Sequence, residues 1–133
     1  MSKSAIYTCN NAGATLAAGD VIPVGSTIRR FGCNVKQDGN AITLCGQGYY
    51  LINASCTVTP SAAGTVSVTA LKDGVAVIGA NASVTVAATD TATNLSISAI
   101  VRNICNCGNS LLSFSLGGAA AVVNNFAVTV EKL

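Results

Sequence analysis

Residues 48–77 read GYYLINASCTVTPSAAGTVSVTALKDGVAV, and the alternation in this stretch decides the fold class. Tyr50, Ile52, Ala54, Cys56 and Val58 share one face of an extended segment, while Asn53, Ser55, Thr57 and Thr59 share the other. A period of two marks a half-buried strand. Pro60-Ser61-Ala62-Ala63-Gly64 interrupts the pattern, and a second alternating run follows with Val66, Val68 and Ala70 on one face and Thr65, Ser67, Thr69 and Leu71 on the other. The simple expectation is two antiparallel strands at the centre of a β meander. Lys72-Asp73-Gly74 then stands before Val75-Ala76-Val77, and an Asp-Gly pair between strand-like runs favours a tight turn with positive φ at the glycine.

The same period extends outward. Ala5-Ile6-Tyr7-Thr8 reads as a first strand, and residues 9–19 as a small-residue loop that its glycines and Asn10-Asn11 keep from being helical. Residues 27–33 form an expected strand with a bulge at Gly32, and Cys33, in register with Phe31 and Val35, is expected to be buried like Cys56. Asp38-Gly39 turns the chain back into residues 41–45. Gly79 breaks the next run, and Val84, Val86 and Ala88 share a face beyond it. In residues 92–104, Leu95, Ile97, Ala99 and Val101 point inward, and Asn94, Ser96, Ser98 and Arg102 outward, with Ile100 the apolar exception and a candidate for a subunit contact. Leu112, Phe114 and Leu116 form another inward set, and Phe126, Val128 and Val130 the last, which implies that the final strand is held in a sheet beside the first.

Roughly eight to ten short strands at about ten-residue spacing, without a helical stretch, make an all-β, single-domain antiparallel sandwich, jelly roll or barrel. Residues 1–26 are expected to supply a strand and a docking or packing arm, and residues 27–133 the jelly-roll body.

Composition narrows the function. Charged residues make up 9% of the chain against 50% hydrophobic, yet no apolar run reaches the ~20 residues of a membrane helix, and no membrane partner is expected. The start, Met1-Ser2-Lys3-Ser4 followed by polar residues, lacks the pattern of a secretory leader, so synthesis in the cytoplasm is expected. A net charge of +2, scattered over the chain, makes no basic stripe for nucleic acid. A surface so poor in charge is better explained if part of it is buried against identical copies.

Histidine is absent, so Ser-His-Asp and Cys-His catalysis are excluded and the imidazole metal ligand is missing. No catalytic residue and no cofactor is expected. Cys105 and Cys107, in a Cys-x-Cys loop, leave three readings open: free thiols, a disulfide within or between chains, or a soft-metal site shared by copies about a symmetry axis. Arg29-Arg30 reads as a solvated strand edge, with an anionic capsid or glycan partner as the alternative.

The order of a Gly-Tyr-Tyr-Leu-Ile strand, a strand ending in Leu-Lys-Asp-Gly-Val, a long Ser/Ile-alternating strand and a terminal Phe-Ala-Val-Thr-Val strand resembles the jelly roll of the tumour necrosis factor family and of complement and collagen-like heads, over residues 27–133. The opening Ser-Ala-Ile-Tyr-Thr, the segment Arg29-Arg30-Phe31-Gly32-Cys33, the run from Ile100-Val101-Arg102 into the cysteine loop, and the Val-Glu-Lys-Leu ending resemble small structural proteins of phages and prophages of anaerobic Gram-positive bacteria. A Gly-X-Y stem, common before bacterial heads, is not present. The resemblance implies a homotrimeric virion protein that decorates a capsid or forms a fibre head, with itself and a major capsid or other virion protein as partners. Alternatives are a carbohydrate- or cell-surface-binding head module and a disulfide-linked bacterial or spore surface coat protein, which would be extracellular. The scarcity of aromatics, three tyrosines and no tryptophan, weighs against a sugar site. For a trimer, the expected interface is the uncharged outward set Asn53, Ser55, Thr57, Thr65, Ser67, Thr69, Ser96, Ser98 and Ile100.

Overall fold

Alternating apolar side chains must be covered on one side, and here two sheets cover each other. The computed structural model describes residues 4–60, 63–86, 92–103 and 110–133. Eleven strands occur among them, one more than the upper expectation: β1 (Ala5–Asn10), β2 (Ala14–Leu16), β3 (Ser26–Phe31), β4 (Val35–Asp38), β5 (Ala41–Leu44), β6 (Gly48–Pro60), β7 (Gly64–Lys72), β8 (Val75–Val86), β9 (Thr93–Asn103), β10 (Ser110–Gly118) and β11 (Ala121–Lys132). The first sheet runs β3-β1-β11-β6-β9, with β2 also pairing β11, and the second runs β4-β5-β10-β7-β8. Every pairing is antiparallel. The all-β jelly-roll sandwich expected from the alternation is what the chain forms.

Two hairpins are local. β4 and β5 pair across Gly39-Asn40, one residue beyond the expected Asp38-Gly39, since Asp38 itself pairs with Ala41. β7 and β8 pair across Asp73-Gly74, where both turn residues have positive φ, 52° and 83°. That is the geometry of a type I′ turn, whose twist matches the flanking strands. The expected meander of β6 and β7 is not formed. β6 pairs with β11 and β9, and β7 with β10 and β8, so consecutive strands lie in opposite sheets. The physical reason lies in the connection: residues 60–64 carry no two-residue turn signal that would force adjacent pairing.

The core lies between the sheets. Tyr50, Ile52, Cys56 and Val58 from one sheet face Val66, Val68, Phe114 and Leu116 from the other, all essentially inaccessible. Phe114 and Phe126 meet edge to face, with centroids 5.1 Å apart and planes at 76°. At one end Tyr50 donates its hydroxyl to the carbonyls of Cys45 and Gly46 at 2.8 and 2.9 Å, and buried Asn103 donates to the Gly46 carbonyl at 2.9 Å while accepting from Ser110 Oγ at 2.9 Å. These bonds satisfy polar groups that burial would otherwise strand.

β1 lies between β3 and β11, beside the last strand as expected, with Ile6 and Thr8 buried, and Ile22 and Val24 reach the core. Several local expectations are corrected. The expected loop of residues 9–19 contains β2. Gly32 lies in the turn after β3, and the bulge falls instead between Tyr7 and Thr8, against β3. Phe31 is 60% exposed because β3 is an edge strand whose six residues all meet solvent, and Cys33 is exposed because the strand ends at Phe31 and Cys33 sits in the bend before β4. Gly79 does not end its strand. Between the pairs Thr69 with Asn81 and Leu71 with Ala76, Ala70 faces residues 77–80, and this slip shifts the inward phase from odd to even positions.

Candidate assembly face

Along five of the six strands of the first sheet, β3, β1, β11, β6 and β9, the outward residues line up in rows. Tyr7, Thr129, Asn53 and Ser98 make one row, Cys9, Ala127, Ser55 and Ser96 the next, and Asn125, Thr57 and Asn94 a third. None of these residues is charged. Charges stand around them: Arg29 beside Tyr7, Glu131 between Ala5 and Leu51, and Arg102 opposite Tyr49, over whose ring its guanidinium sits at 5.8 Å.

Small side chains hollow the middle of this face. Asn53, Ser55, Ser96, Ser98, Ala127 and Thr129 line a trough of about 370 Å³. Its polar groups are partly spent on one another: Asn94 Nδ2 donates to Ser55 Oγ and Thr57 Oγ1, each at 3.3 Å, and Ser96 Oγ donates to Asn94 Oδ1 at 3.2 Å. Cys9 Sγ donates to Asn125 Oδ1 at 3.5 Å. The surface therefore offers shape and hydrogen-bonding capacity without fixed charge, which lowers the desolvation cost of covering it.

The nine residues expected at one interface divide between the two sheets. Asn53, Ser55, Thr57, Ser96, Ser98 and Ile100 lie on this face. Thr65, Ser67 and Thr69 lie on the outer surface of the second sheet, in rows with Thr85, Ser83 and Asn81, and Thr65 and Thr85 share a hydrogen bond of 3.0 Å between hydroxyls. Packed sheets stand ~10 Å apart and these two sets point in opposite directions, so they cannot belong to a single flat contact. Tyr7, Ala127 and Thr129 join the first face without any sequence signal that singles them out. The alternation of Phe126, Val128 and Val130 already implies outward Ala127 and Thr129; their neighbourhood with β6 follows from no local signal.

Reactive chemistry is sparse in the described residues. No group of three or more cysteine, aspartate or glutamate side chains is arranged to hold a metal ion there. Cys105 and Cys107 lie outside the described residues. Burial pushes the Cys56 thiol up to about 12, so it is inert at neutral pH. Tyr50 is raised by burial and, secondarily, by nearby Cys45. Arg29 and Arg30 are exposed on β3, and Arg30 Nε donates to the Val35 carbonyl at 2.6 Å, tying the strand edge to β4.

No protein-family model matches the sequence, and no curated protein matches it. Solved structures do match the fold. Murine APRIL superposes with a TM-score of 0.76 at 13% identity, covering 99% of this chain and all of that one. The PRD1 vertex protein P5 superposes at 0.69 with 16% identity over 98% of this chain and 96% of its own, and the globular domain of zebrafish complement 1qA at 0.67 with 9% identity over 97% and 95%. A tumour necrosis factor, Eiger of S. frugiperda, matches at 0.70. The chain has the tumour necrosis factor-like jelly roll, and at these identities the likeness is one of fold.

Proposed function

We propose that this chain is a non-catalytic structural protein of a phage particle, a homotrimer that decorates the capsid or heads a fibre, with the outer surface of the first sheet turned toward the threefold axis. The observation that carries the reading is the set of three uncharged rows on that surface, hollowed along β6 and β9 and bounded by charges only at its margins. An isolated domain ordinarily keeps a substantially charged surface for solubility. Here the first sheet withholds charge across four of its strands, which suits a face covered by copies of itself. The likeness in fold to a phage vertex protein over nearly the whole chain supports a place in a virion, where contact with a major capsid or other virion protein would follow.

The test is the mass of the purified protein at micromolar concentration, measured by light scattering after size exclusion. A stable particle of three chain masses is expected, and images of the native virion should show threefold density of matching size. A monomer at that concentration would remove the reading.

A further inference from the structure

Two Asp-Gly pairs stand at the hairpins, Asp38-Gly39 and Asp73-Gly74, and the assembly reading uses neither. An aspartate followed by glycine carries a latent reaction, because the glycine has no Cβ to shield its amide from the aspartate carboxyl. All four residues are exposed, yet the two aspartates are held differently.

Asp73 is clamped to β10. Its carboxylate accepts from the Leu111 amide at 2.9 Å, and its own amide donates to the Leu111 carbonyl at 2.8 Å. A carboxyl held across the sheet in this way cannot also lie against the Gly74 nitrogen. Asp38 ends β4 opposite Ala41, and among the described residues no hydrogen bond or ion pair engages its carboxylate. Gly39 follows in the turn at a φ of 62°, and beyond its chain neighbours nothing lies within 4 Å of where a Cβ would stand. The Asp38 carboxyl is free to rotate onto the Gly39 amide, and nothing crowds the approach.

We propose that Asp38-Gly39 is a site of spontaneous aspartate isomerisation, and that the fold withholds Asp73-Gly74 from the same reaction. The Gly39 nitrogen attacks Asp38 Cγ, a C–N bond forms, and the carboxyl hydroxyl leaves as water with the amide proton, closing a cyclic imide. Water then adds to the ring. Opening at Cγ returns aspartate, whereas opening at the main-chain carbonyl routes the backbone through the side chain and leaves isoaspartate. One water leaves and one enters, so the step needs no oxidant or reductant. The product lengthens the backbone by one carbon where Asp38 pairs with Ala41. It also displaces the Gly39 carbonyl, which accepts from Gln37 Nε2 at 3.1 Å, while Gln37 Oε1 accepts from Thr27 Oγ1 of β3 at 2.8 Å. Isomerisation thus loosens the β4 edge and its tie to β3, in the sheet opposite the neutral face, and does not depend on the assembly reading.

Ageing the intact protein at neutral pH in heavy-oxygen water tests the assignment, beside a sample kept unfolded in guanidinium chloride. Each is then digested, under denaturing conditions, with an endoproteinase that cuts before aspartate but not before isoaspartate. The folded sample is expected to lose cleavage at Asp38, with heavy oxygen in the uncut peptide, and to keep cleavage at Asp73. The unfolded sample is expected to lose both together. Gly39→Asn, in which asparagine tolerates the left-handed turn and crowds the amide, should keep cleavage at Asp38 in the folded chain. Loss at both sites in the folded protein would overturn the proposal, as would retention of both over a time in which the unfolded sample loses both. A Gly39→Asn chain that loses cleavage as fast as the parent would overturn the part given to the bare glycine amide.

Discussion

Placing one carboxylate at Ser98 tests which surface faces the axis. Ser98 is exposed in the single chain, in the row with Asn53 and next to the trough, so Ser98→Asp should not disturb folding. A trimer closed over this face would bring three carboxylates together. With roughly 8 Å between them and an effective dielectric constant of about 20, each pair costs ~2 kcal/mol and the three pairs ~6 kcal/mol, a loss of about four orders of magnitude in the assembly constant. Sedimentation should show monomer where the parent is trimeric. Repulsion raises the pKa of such carboxyls, so acidification should restore the trimer, and high salt should restore it in part. Ser98→Asn, which adds bulk without charge, should stay assembled. Ser83→Asp places the same charge on the exposed outer surface of the second sheet and should also stay assembled. A trimeric Ser98→Asp with a monomeric Ser83→Asp would refute the assignment and move the interface to the opposite sheet.

Three further outcomes follow from the core and its turns. Phe114→Ala removes a fully buried ring packed edge to face on Phe126 and should cost about 3–5 kcal/mol, read as a large fall in melting temperature. Because the folded Cys56 thiol titrates at about 12 against 9.0 for the free group, its neutral form stabilises the fold fully below pH 9 and that stabilisation fades as pH rises toward 12; the alkaline fall in stability should shrink in Cys56→Ala, and thiol reagents at neutral pH should modify Cys33 well before Cys56. Gly118 has a φ of 80°, and a Cβ there would press into the Thr65 carbonyl, so Gly118→Ala should destabilise by more than the ~1 kcal/mol typical of a point change, as denaturant titration would show.

The inward residues of β6, β7, β9, β10 and β11 were legible because a two-residue period is a property of each strand taken alone. The hairpin at Asp73-Gly74 was legible for a related reason, since a two-residue turn dictates its own pairing, whereas the β4–β5 hairpin was legible only to within one residue, its turn falling at Gly39-Asn40. What alternation does not carry is the sheet to which a strand belongs. Thr65, Ser67 and Thr69 are outward just as Asn53, Ser55 and Thr57 are, yet the chain changes sheets between them and the two sets end on opposite sides of the molecule. Edge position and strand ends are equally silent: Phe31 and Cys33 alternate like core residues, but β3 is an edge strand whose side chains meet water, and it stops at Phe31, leaving Cys33 in the bend beyond it.

The assembly face shows how these limits compound. Its middle joins β11 to β6 and β9, so that Thr129 stands beside Asn53 and Ala127 beside Ser55, residues more than seventy positions apart in the chain. β1 extends the same rows with Tyr7 and Cys9. Each contributor is a small or neutral residue of the sort that surfaces hold everywhere, and singly none is a signal. Only the register, which sets the uncharged residues of four strands side by side and leaves Arg29, Glu131 and Arg102 at their margins, turns a charge-poor composition into one continuous surface. A shift of β11 by one residue against β6 would bring Val128 and Val130 outward and carry Thr129 into the core, so the packing of Phe126, Val128 and Val130 that holds the sandwich together is also what composes its neutral face.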